Sequence, residues 1–246
     1  MRIAVVGRGR LGRSLAVLLG QAGRTVELVP RGGPLPPGTG IVLLCVPDDA
    51  IAAAAAALQP GPIVLHCAGA LGADVLRPHR PAGSLHPLMT FPGPEIALPD
   101  LRGVPAAVDG DPEALAAAED LTRALGMVPL RVTGDRRLYH GAAVLVGGAR
   151  VLLREASRML AAAGVDPADA PAHLAPLMHA IIDHAVRYGP RAATGPASRG
   201  DVATSAAHRA ALEEHGLSDL RELYDALASR AAAGRLRDPP TGPDES

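Results

Sequence analysis

The first fifteen residues, MRIAVVGRGRLGRSL, place a short apolar run directly before three closely spaced glycines. The run is rich in isoleucine and valine, which is typical of a buried parallel strand, whereas the residues after the glycines repeat with the period of a helix. A strand that leads through G-x-G-x-x-G into a helix is typical of the first unit of a doubly wound sheet, where the helix N-terminus binds a phosphate. The residues predicted to hold a dinucleotide pyrophosphate are Gly7, Arg8, Gly9, Arg10, Leu11 and Gly12.

The alternation of strand and helix continues over the first half of the chain. Apolar runs at TVELVP, IVLLCVPDD, PIVLHC and GSLHP predict four further strands, with a helix from about Asp48 to Leu58 among them. VPAAVDGD, a helix at PEALAAAEDLTRALG, and MVPLRV complete the series. Strands that alternate with helices favour a doubly wound, mainly parallel sheet. We therefore predict an α/β Rossmann domain over residues 1–132.

From Gly134 onward the β-branched runs disappear and helical periodicity takes over. Leucine and alanine recur on one stripe over residues 136–163, which predicts a single long amphipathic helix that ends at Gly164. Further helices are predicted over residues 171–188, 202–214 and 217–233. The chain is thus expected to continue as an all-α domain over residues 133–237 and to end in a polar, proline-rich, frayed tail over residues 238–246.

Composition and charge exclude several classes of protein. With a formal net charge of −1 over 246 residues, the chain lacks the basic footprint of a nucleic-acid-binding protein. The N-terminal apolar run is interrupted too early for a signal peptide, and no apolar run is long enough to cross a membrane. The two cysteines, Cys45 and Cys67, fit a reducing compartment. We therefore expect a cytoplasmic protein whose partners are small molecules.

Nine histidines raise the question of a metal site. Three of them, His173, His179 and His184, fall in one helical region, but five positions separate the last two, which does not place them on one helix face. No cysteine motif accompanies them, so no metal is predicted.

The end of the second predicted strand indicates which dinucleotide binds. NAD is usually held there by an acidic side chain on the ribose 2′-hydroxyl, whereas the 2′-phosphate of NADP calls for arginine. Glu27 lies inside the strand, while Arg31 lies at its exit and Arg8 lies within the glycine turn. Two guanidinium groups suit a phosphate monoester, so we predict NADP. The predicted cofactor contacts past the third and fourth strands are Val46, Pro47 and Cys67.

Four stretches, LHCAGALGADVL, GSLHPLMTF, LYHGAAVL and TGPASRGDVAT, resemble a bacterial family described as Rossmann-like with a C-terminal domain of unknown function 2520. The N-terminal half is similar to the 6-phosphogluconate dehydrogenase-like reductases, which include pyrroline-carboxylate reductases and imine reductases. The resemblance implies an NADP-dependent oxidoreductase that transfers a hydride to or from a small C=N or C=O substrate. It also implies a homodimer that pairs through the helical domain.

The sequence contains no lysine and no asparagine. Related hydroxyacid dehydrogenases and ketopantoate reductases use a lysine, with an asparagine nearby, at the start of the first C-terminal helix. Here that region carries Arg136 and Arg137, with Gly147 and Gly148 where the amide is expected. Arginine stays charged and is a poor proton donor, so a lysine-driven carbonyl mechanism cannot operate.

The candidate proton donors follow two predicted strands or begin the helical domain. His66 follows the fourth strand; His86 ends the fifth, beside Ser84, and is favoured because an imidazole titrates near neutrality. Tyr139 and His140 are adjacent on one helix, so only one of them is expected to point straight at the cleft. The alternatives are histidines that merely bond their own loops and a tyrosine that belongs to the core. The predicted catalytic residues are His86, Tyr139 and His140.

On the substrate side, Arg136, Ser198 and Arg199 are predicted to bind the ligand, with Arg136 or Arg199 holding a carboxylate. Asp201, in the same glycine-bounded loop as Arg199, is predicted to be the N-cap of the following helix. The missing lysine and asparagine also motivate an alternative, a non-catalytic NADP-binding sensor or partner module.

Overall fold

The computed structural model of the protein describes residues 1–233, and the predicted tail over 238–246 lies outside them. Within that range the chain forms seven strands and nine α-helices. The strands β1 to β7 are Arg2–Val6, Val26–Val29, Thr39–Leu44, Ile63–His66, Ala82–Pro87, Pro105–Gly110 and Val128–Leu130. The helices α1 to α9 are Arg10–Gln21, Ile51–Ala56, Pro112–Ala124, Arg136–Gly147, Ala149–Ala162, Ala170–Tyr188, Pro196–Arg199, Val202–Glu214 and Arg221–Ala233.

The strands form one sheet in the order β2-β1-β3-β4-β5-β6-β7. All neighbours are parallel except β5 and β6, which run antiparallel. The chain moves outward from β1 in both directions, which confirms the predicted doubly wound, mainly parallel sheet. Because the strands from β2 to β5 are parallel neighbours, their carboxyl ends meet at one edge of the sheet.

Apolar side chains alternate between the two faces of the sheet and form a core on each. On one face, strand residues such as Val5 and Leu43 pack against Leu15 and Leu19 of α1 and against α3. On the other face, residues such as Val42 and Leu44 pack with Ile51 of α2. Full burial of a leucine or isoleucine contributes about 1.5–3 kcal/mol, so both faces anchor the strand ends that carry the site.

The predicted single helix over residues 136–163 is wrong in one respect. The chain forms two helices, α4 and α5, which are interrupted at Gly148. The break falls at two consecutive glycines, Gly147 and Gly148, because glycine has a low helix propensity and no side chain to pack. The other predicted helices of this half are present, and α8 has the predicted bounds.

The residues group into two compact units, one from Met1 to Val146 and one from Gly147 onward. The first unit contains the whole sheet together with nearly all of α4, and the second, over its residues up to 233, contains helices joined by loops and no strand. The predicted domain boundary after residue 132 follows the change in secondary structure and stays a prediction.

Candidate functional site

The predicted site residues of the first unit lie along the edge where the parallel strands end. In strand order from β2 to β5, the residues at these ends are Arg31, Gly7, Val46, Cys67 and His86. From β1 to β5 the edge spans three strand spacings, about 14 Å. Ligands of doubly wound sheets bind outside this edge, so the glycine turn and the His86 region are two parts of one elongated strip.

The turn between β1 and α1 is shaped for the close approach of a phosphate. Gly7 has a φ of +119°, and a Cβ there would overlap the carbonyl oxygen of Cys45. A Cβ at Gly12 would overlap the carbonyl oxygen of Gly7, so α1 packs directly on the turn. Gly9 precedes α1, and no described atom lies within 4 Å of the position that its Cβ would take. The first N–H groups of α1 have no partner within the helix, and the space at Gly9 lets an anion approach them. This arrangement fits a dinucleotide pyrophosphate.

Three predicted arginines, Arg8, Arg10 and Arg31, are exposed around this turn. None of the three forms an ion pair with another residue in the range 1–233. By contrast, Arg13 of α1 pairs with Glu95 at 3.2 Å. Glu27 lies inside β2, as predicted, and is 3.9 Å from Arg2. The residues that follow β2, PRGG, contain a cation and no acid, which suits a 2′-phosphate.

The remaining predicted cofactor residues differ in exposure. Val46 is half-buried against Gly7, and Pro47 is exposed beside it. Leu11 is half-buried on the core, and Cys67 is buried within it. Val46 and Pro47 therefore face the edge, while the roles of Leu11 and Cys67 in cofactor binding stay predictions.

The three residues predicted to carry the chemistry meet where α4 packs on β5. Nδ1 of His86 lies 2.9 Å from the hydroxyl oxygen of Tyr139, which is a hydrogen bond. The rings of His86 and His140 meet edge to face, with centroids 5.7 Å apart. Both adjacent side chains of α4 thus contact His86, whereas only one was expected to point at the cleft. They diverge by about 100° around the helix, and the imidazole lies between their directions.

Burial sets the charge of the His86 imidazole. Desolvation, together with the positive electrostatic influence of His140, Arg136 and His66, lowers its pKa from 6.5 to about 4. The ring is therefore neutral near pH 7, which differs from the expected titration near neutrality because the ring is shielded from water. Burial also raises the pKa of Tyr139, so its hydroxyl stays protonated. With Nδ1 bonded to Tyr139, Nε2 is the nitrogen of His86 that remains for a ligand.

Gly69, in the loop after β4, is a site residue that the sequence analysis did not single out. A Cβ at this position would lie 2.6 Å from Cδ2 of His140 and 2.9 Å from Nε2 of His86. Any side chain here would cover the remaining nitrogen of His86. The signal in the sequence is only a glycine shortly after a predicted strand.

His66, at the carboxyl end of β4, has both ring nitrogens engaged by backbone. Nδ1 accepts a hydrogen bond from the Ala68 N–H at 3.1 Å, so the hydrogen is on Nε2, which donates to the carbonyl oxygen of Gly72 at 3.0 Å. Burial lowers the pKa of His66 to about 4. This histidine fixes the loop that carries Gly69 and has no nitrogen left for a ligand.

Arg136 begins α4 and is the cation of this region. Its Nη2 donates a long hydrogen bond of 3.4 Å to the Ala68 carbonyl oxygen, whereas Nε and Nη1 are buried and have no partner within residues 1–233. The hydroxyl of Ser84, on the same face of β5 as His86, is also buried and lacks a partner in that range. Desolvation lowers the pKa of Arg136, and Asp109 acts on it electrostatically in the opposite direction. Buried unpaired donors on a cation are costly, which favours a bound acceptor.

The other predicted substrate residues belong to the second unit. Ser198 is half-buried and Arg199 is exposed at the end of α7. Asp201 is the N-cap of α8, as predicted, because its carboxylate accepts hydrogen bonds from the N–H and the hydroxyl of Thr204 at 2.9 and 2.7 Å. Asp201 therefore has a structural role, and the roles of Ser198 and Arg199 stay predictions.

Two absences among residues 1–233 bear on metals and membranes. In this range no group of three or more His, Cys, Asp and Glu side chains could hold a metal ion. Among the same residues, no helix combines the length and apolar character needed to cross a membrane.

A sequence profile of the family called Domain of unknown function (DUF2520) matches residues 104–231, more than half of the chain. The chain belongs to this family. The matched region of this DUF2520 protein begins just before β6 and therefore includes the last strands of the sheet as well as the helices. None of the curated proteins matches the chain.

Solved structures share the fold of this DUF2520 protein over nearly its whole length. A Bacteroides fragilis protein described as an NADP oxidoreductase is 18% identical, with a TM-score of 0.79 over 94% of this chain and 98% of its own. A Thermotoga maritima protein is 22% identical, with a TM-score of 0.70 over 95% and 98%. A reductive aminase from Aspergillus terreus, in complex with NADPH and ethyl-5-oxohexanoate, is 17% identical, with a TM-score of 0.68 over 94% and 93%. These similarities confirm a Rossmann fold followed by a helical region.

Proposed function

We propose that this DUF2520 protein is an NADPH-dependent oxidoreductase. The observation that carries the proposal is the strip at the carboxyl edge of the sheet, where an exposed Arg31, an open glycine turn and the His86 region follow one another in strand order. Two proteins with the same fold support it, one described as an NADP oxidoreductase and one crystallised with NADPH.

In this proposal each part of the strip has one task. The glycine turn and the N-terminus of α1 hold the pyrophosphate, and Arg31 with Arg8 binds the 2′-phosphate by charge and fork geometry. NADPH, when bound, supplies a hydride. The residues beyond β4 and β5 orient the group that receives it and control its proton.

The neutral His86 favours a C=N substrate over a C=O substrate. Reduction of a carbonyl needs a proton donor, and an imidazole whose pKa is about 4 holds almost no transferable proton near pH 7. An iminium ion arrives already protonated. In the tautomer of neutral His86 whose Nδ1–H donates to the Tyr139 hydroxyl oxygen, Nε2 can accept a hydrogen bond from the iminium N–H, and such a weak base does not remove that proton. Tyr139 holds the ring through Nδ1 in this arrangement.

Arg136 supports a substrate that also carries a carboxylate. Two other arginines of the chain, Arg102 and Arg137, hold the carboxylates of Asp100 and Asp135 through Nε and Nη2. Arg136 has no carboxylate partner in the range 1–233: its Nη2 makes only the long bond to the Ala68 carbonyl oxygen, and its Nε and Nη1 have no partner. A substrate carboxylate would satisfy this cation and would offset its repulsion of an iminium ion. We propose Ser198 and Arg199 as additional ligand-binding residues.

The cofactor preference is tested by titration with NADPH and NADH. We expect tighter binding of NADPH, and Arg31→Asp is expected to weaken it by about 1.5–3 kcal/mol, roughly tenfold or more. NADH binding should change little. Arg150→Asp, at an exposed arginine in the first turn of α5, is the control for the change in net charge. An unchanged NADPH-to-NADH ratio in Arg31→Asp would remove Arg31 from the site.

The reaction is tested by NADPH oxidation with a panel of imines and of matched carbonyl compounds, each with and without a carboxylate. We expect turnover of carboxylate-bearing imines, and Arg136→Gln should raise KM for these but not for neutral imines. His86→Ala, His140→Ala and Tyr139→Phe should lower turnover while NADPH affinity persists. A loss of about 100-fold or more in one of them, with a carbonyl substrate, would indicate a general acid and contradict the C=N assignment. Binding of NADPH without turnover across the panel would favour a sensor or partner module instead.

We also propose that two copies of the chain pair through their helical regions. Large apolar side chains are exposed on α4 and α6, among them Leu138, Leu145, Ile181 and Val186, with 58–82% of their surfaces accessible. A monomer rarely exposes so many, so a partner is favoured. Light scattering at micromolar concentration should give the mass of a dimer, and a monomer mass would contradict the proposal.

Because both cysteines are free thiols, we place the protein in the reducing cytoplasm.

A further inference from the structure

The two cysteines of the chain lie side by side at the carboxyl edge of the sheet. The register of β3 and β4 pairs Leu44 with His66, so Cys45 and Cys67 are the next residues opposite each other. Their Sγ atoms are 3.7 Å apart. The chain has no further cysteine, so each thiol has the other as its nearest possible sulfur partner.

Cys45 of this pair lies directly against the glycine turn. The carbonyl oxygen of Cys45 is the atom that a Cβ at Gly7 would overlap. The Cβ of Cys45 lies 3.1 Å from the position that a Cβ at Gly12 would take. A change in the position of Cys45 is therefore transmitted to both glycines that shape the turn.

The usual spacing of neighbouring strands is one that a disulfide tolerates. Neighbouring strands lie about 4.8 Å apart, within the range of about 4.4–6.8 Å that Cα atoms of a disulfide adopt. The sulfur atoms must approach from 3.7 Å to about 2.05 Å. Side-chain rotation supplies part of that movement and the backbone of the two residues supplies the rest, because both lie just past the ends of β3 and β4 and not in the middle of the ladder.

We propose that Cys45 and Cys67 form a reversible disulfide when the protein meets a hydroperoxide. The Cys45 thiol first attacks the peroxide oxygen, which gives a sulfenic acid on Cys45 and releases the alcohol, or water from hydrogen peroxide. The Cys67 sulfur then attacks the sulfenic sulfur, which forms the S–S bond and releases water. Two thiols are oxidised and one peroxide is reduced. A dithiol reductant reverses the reaction.

The two cysteines differ in the way that this order requires. Cys45 is half-buried, so a small peroxide reaches it, whereas Cys67 is only 6% exposed. The hydrogen bond with Cys45 and burial raise the pKa of Cys67, so Cys67 is the poorer nucleophile toward the peroxide and Cys45 reacts first. If the two cysteines served only as small apolar side chains of the core, they would not react with each other. Oxidation would then stop at Cys45.

Closure of this disulfide should weaken NADPH binding, because it displaces Cys45 beneath Gly7 and Gly12. This part rests on the proposed cofactor site, whereas formation of the disulfide does not. The pair would thus make the reductase sensitive to the peroxide level of a reducing compartment, where disulfides are usually transient.

The experiment treats the reduced full-length protein with stoichiometric hydrogen peroxide under native conditions and follows free thiols and intact mass. We expect both thiols to disappear together, a mass loss of two hydrogen atoms, and full recovery with dithiothreitol. Cys45→Ser should leave Cys67 unmodified, and Cys67→Ser should accumulate oxygen on Cys45. Circular dichroism before and after oxidation checks that the fold persists.

Several results would overturn the proposal: oxygen addition to Cys45 alone in the wild-type protein, disulfides between chains, or two thiols that survive excess peroxide. NADPH titration of the reduced and oxidised forms tests the coupling, and equal affinities would overturn that part. If the reduced form itself does not bind NADPH, the cofactor assignment fails, while the thiol measurements still decide the disulfide.

Discussion

Two histidines end neighbouring parallel strands of this protein, and their surroundings differ in one respect. His66 at the end of β4 and His86 at the end of β5 are both shielded from water, and burial lowers the pKa of each to about 4. Both ring nitrogens of His66 bond backbone atoms of its own loop. His86 has one nitrogen bonded to Tyr139, and the other lies against the bare backbone of Gly69.

The comparison shows that a lowered pKa does not by itself distinguish a site residue from a structural one. Both imidazoles are desolvated, so both are neutral near pH 7. What distinguishes them is the number of hydrogen-bonding atoms that the fold leaves without a partner. By this criterion His86 and Arg136 are the candidates for ligand binding, and His66 maintains the loop.

The largest expected effect tests what the two histidines share. Because each pKa is lowered from 6.5 to about 4, the unfolded state binds protons first on acidification, and each histidine costs about 3 kcal/mol of stability over that range. The free energy of unfolding should be highest above pH 6.5 and fall steadily toward pH 4. Urea unfolding at a series of pH values measures it, and His66→Gln should make the slope shallower. A flat profile would show that the rings are not desolvated.

The next effect separates the two histidines at a fixed pH of 7.5. His66→Ala removes two hydrogen bonds and leaves the buried backbone groups of Ala68 and Gly72 without partners, so we expect a loss of about 2–4 kcal/mol in unfolding free energy. His86→Ala removes one side-chain bond and should cost about half as much. His173→Ala, at an exposed position of α6, is the control and should change stability by less than about 0.5 kcal/mol. Equal losses for His66 and His86 would break the comparison.

Gly69→Ala addresses the open nitrogen of His86 directly. The new methyl group would lie within 3 Å of both His86 and His140, so the rings must move, and turnover should fall on the order of 10- to 100-fold. Gly141→Ala is the matched control, because no described atom lies within 4 Å of its Cβ position in α4. That variant should keep its activity and gain up to about 1 kcal/mol of stability. Full turnover in Gly69→Ala would place the chemistry elsewhere.

The smallest effect applies the same criterion to the second unit, namely whether a polar side chain already has its hydrogen-bond partners. Both carboxylate oxygens of Asp201 are engaged by Thr204, so this residue is structural, and Asp201→Ala should cost about 1 kcal/mol. Arg199→Ala, two residues earlier, should leave stability within about 0.5 kcal/mol, since the side chain is exposed. Denaturant unfolding of the two variants measures the difference, and a reversed order would contradict the assignment.

Much of the fold could be predicted from local patterns. The alternation of apolar strands and helices, the glycine turn and the N-cap at Asp201 are confirmed, because each depends on residues within one or two turns of chain. The single long helix was wrong, since amphipathic periodicity continues through Gly147 and Gly148 although the helix itself does not. Periodicity reports which face is apolar and not whether the backbone stays helical.

The candidate site was only partly predictable. The sequence singled out His86, Tyr139 and His140 by position, and the structure brings them together across 53 residues of chain between His86 and Tyr139. It did not reveal Gly69, and it left open whether His66 only bonds its own loop, which the structure shows. It also missed the direction of the His86 pKa, because desolvation comes from residues that are distant in the sequence.

The sequence by itself determined the class of fold and the place of the phosphate turn, because strand alternation, helix capping and the conformational demand at Gly7 are local properties of the backbone. Only the tertiary structure decided which polar atoms near β4, β5 and α4 have partners and which do not. Desolvation and hydrogen bonding depend on what packs against a group in space, and for His66, His86 and Arg136 those neighbours come from separate elements.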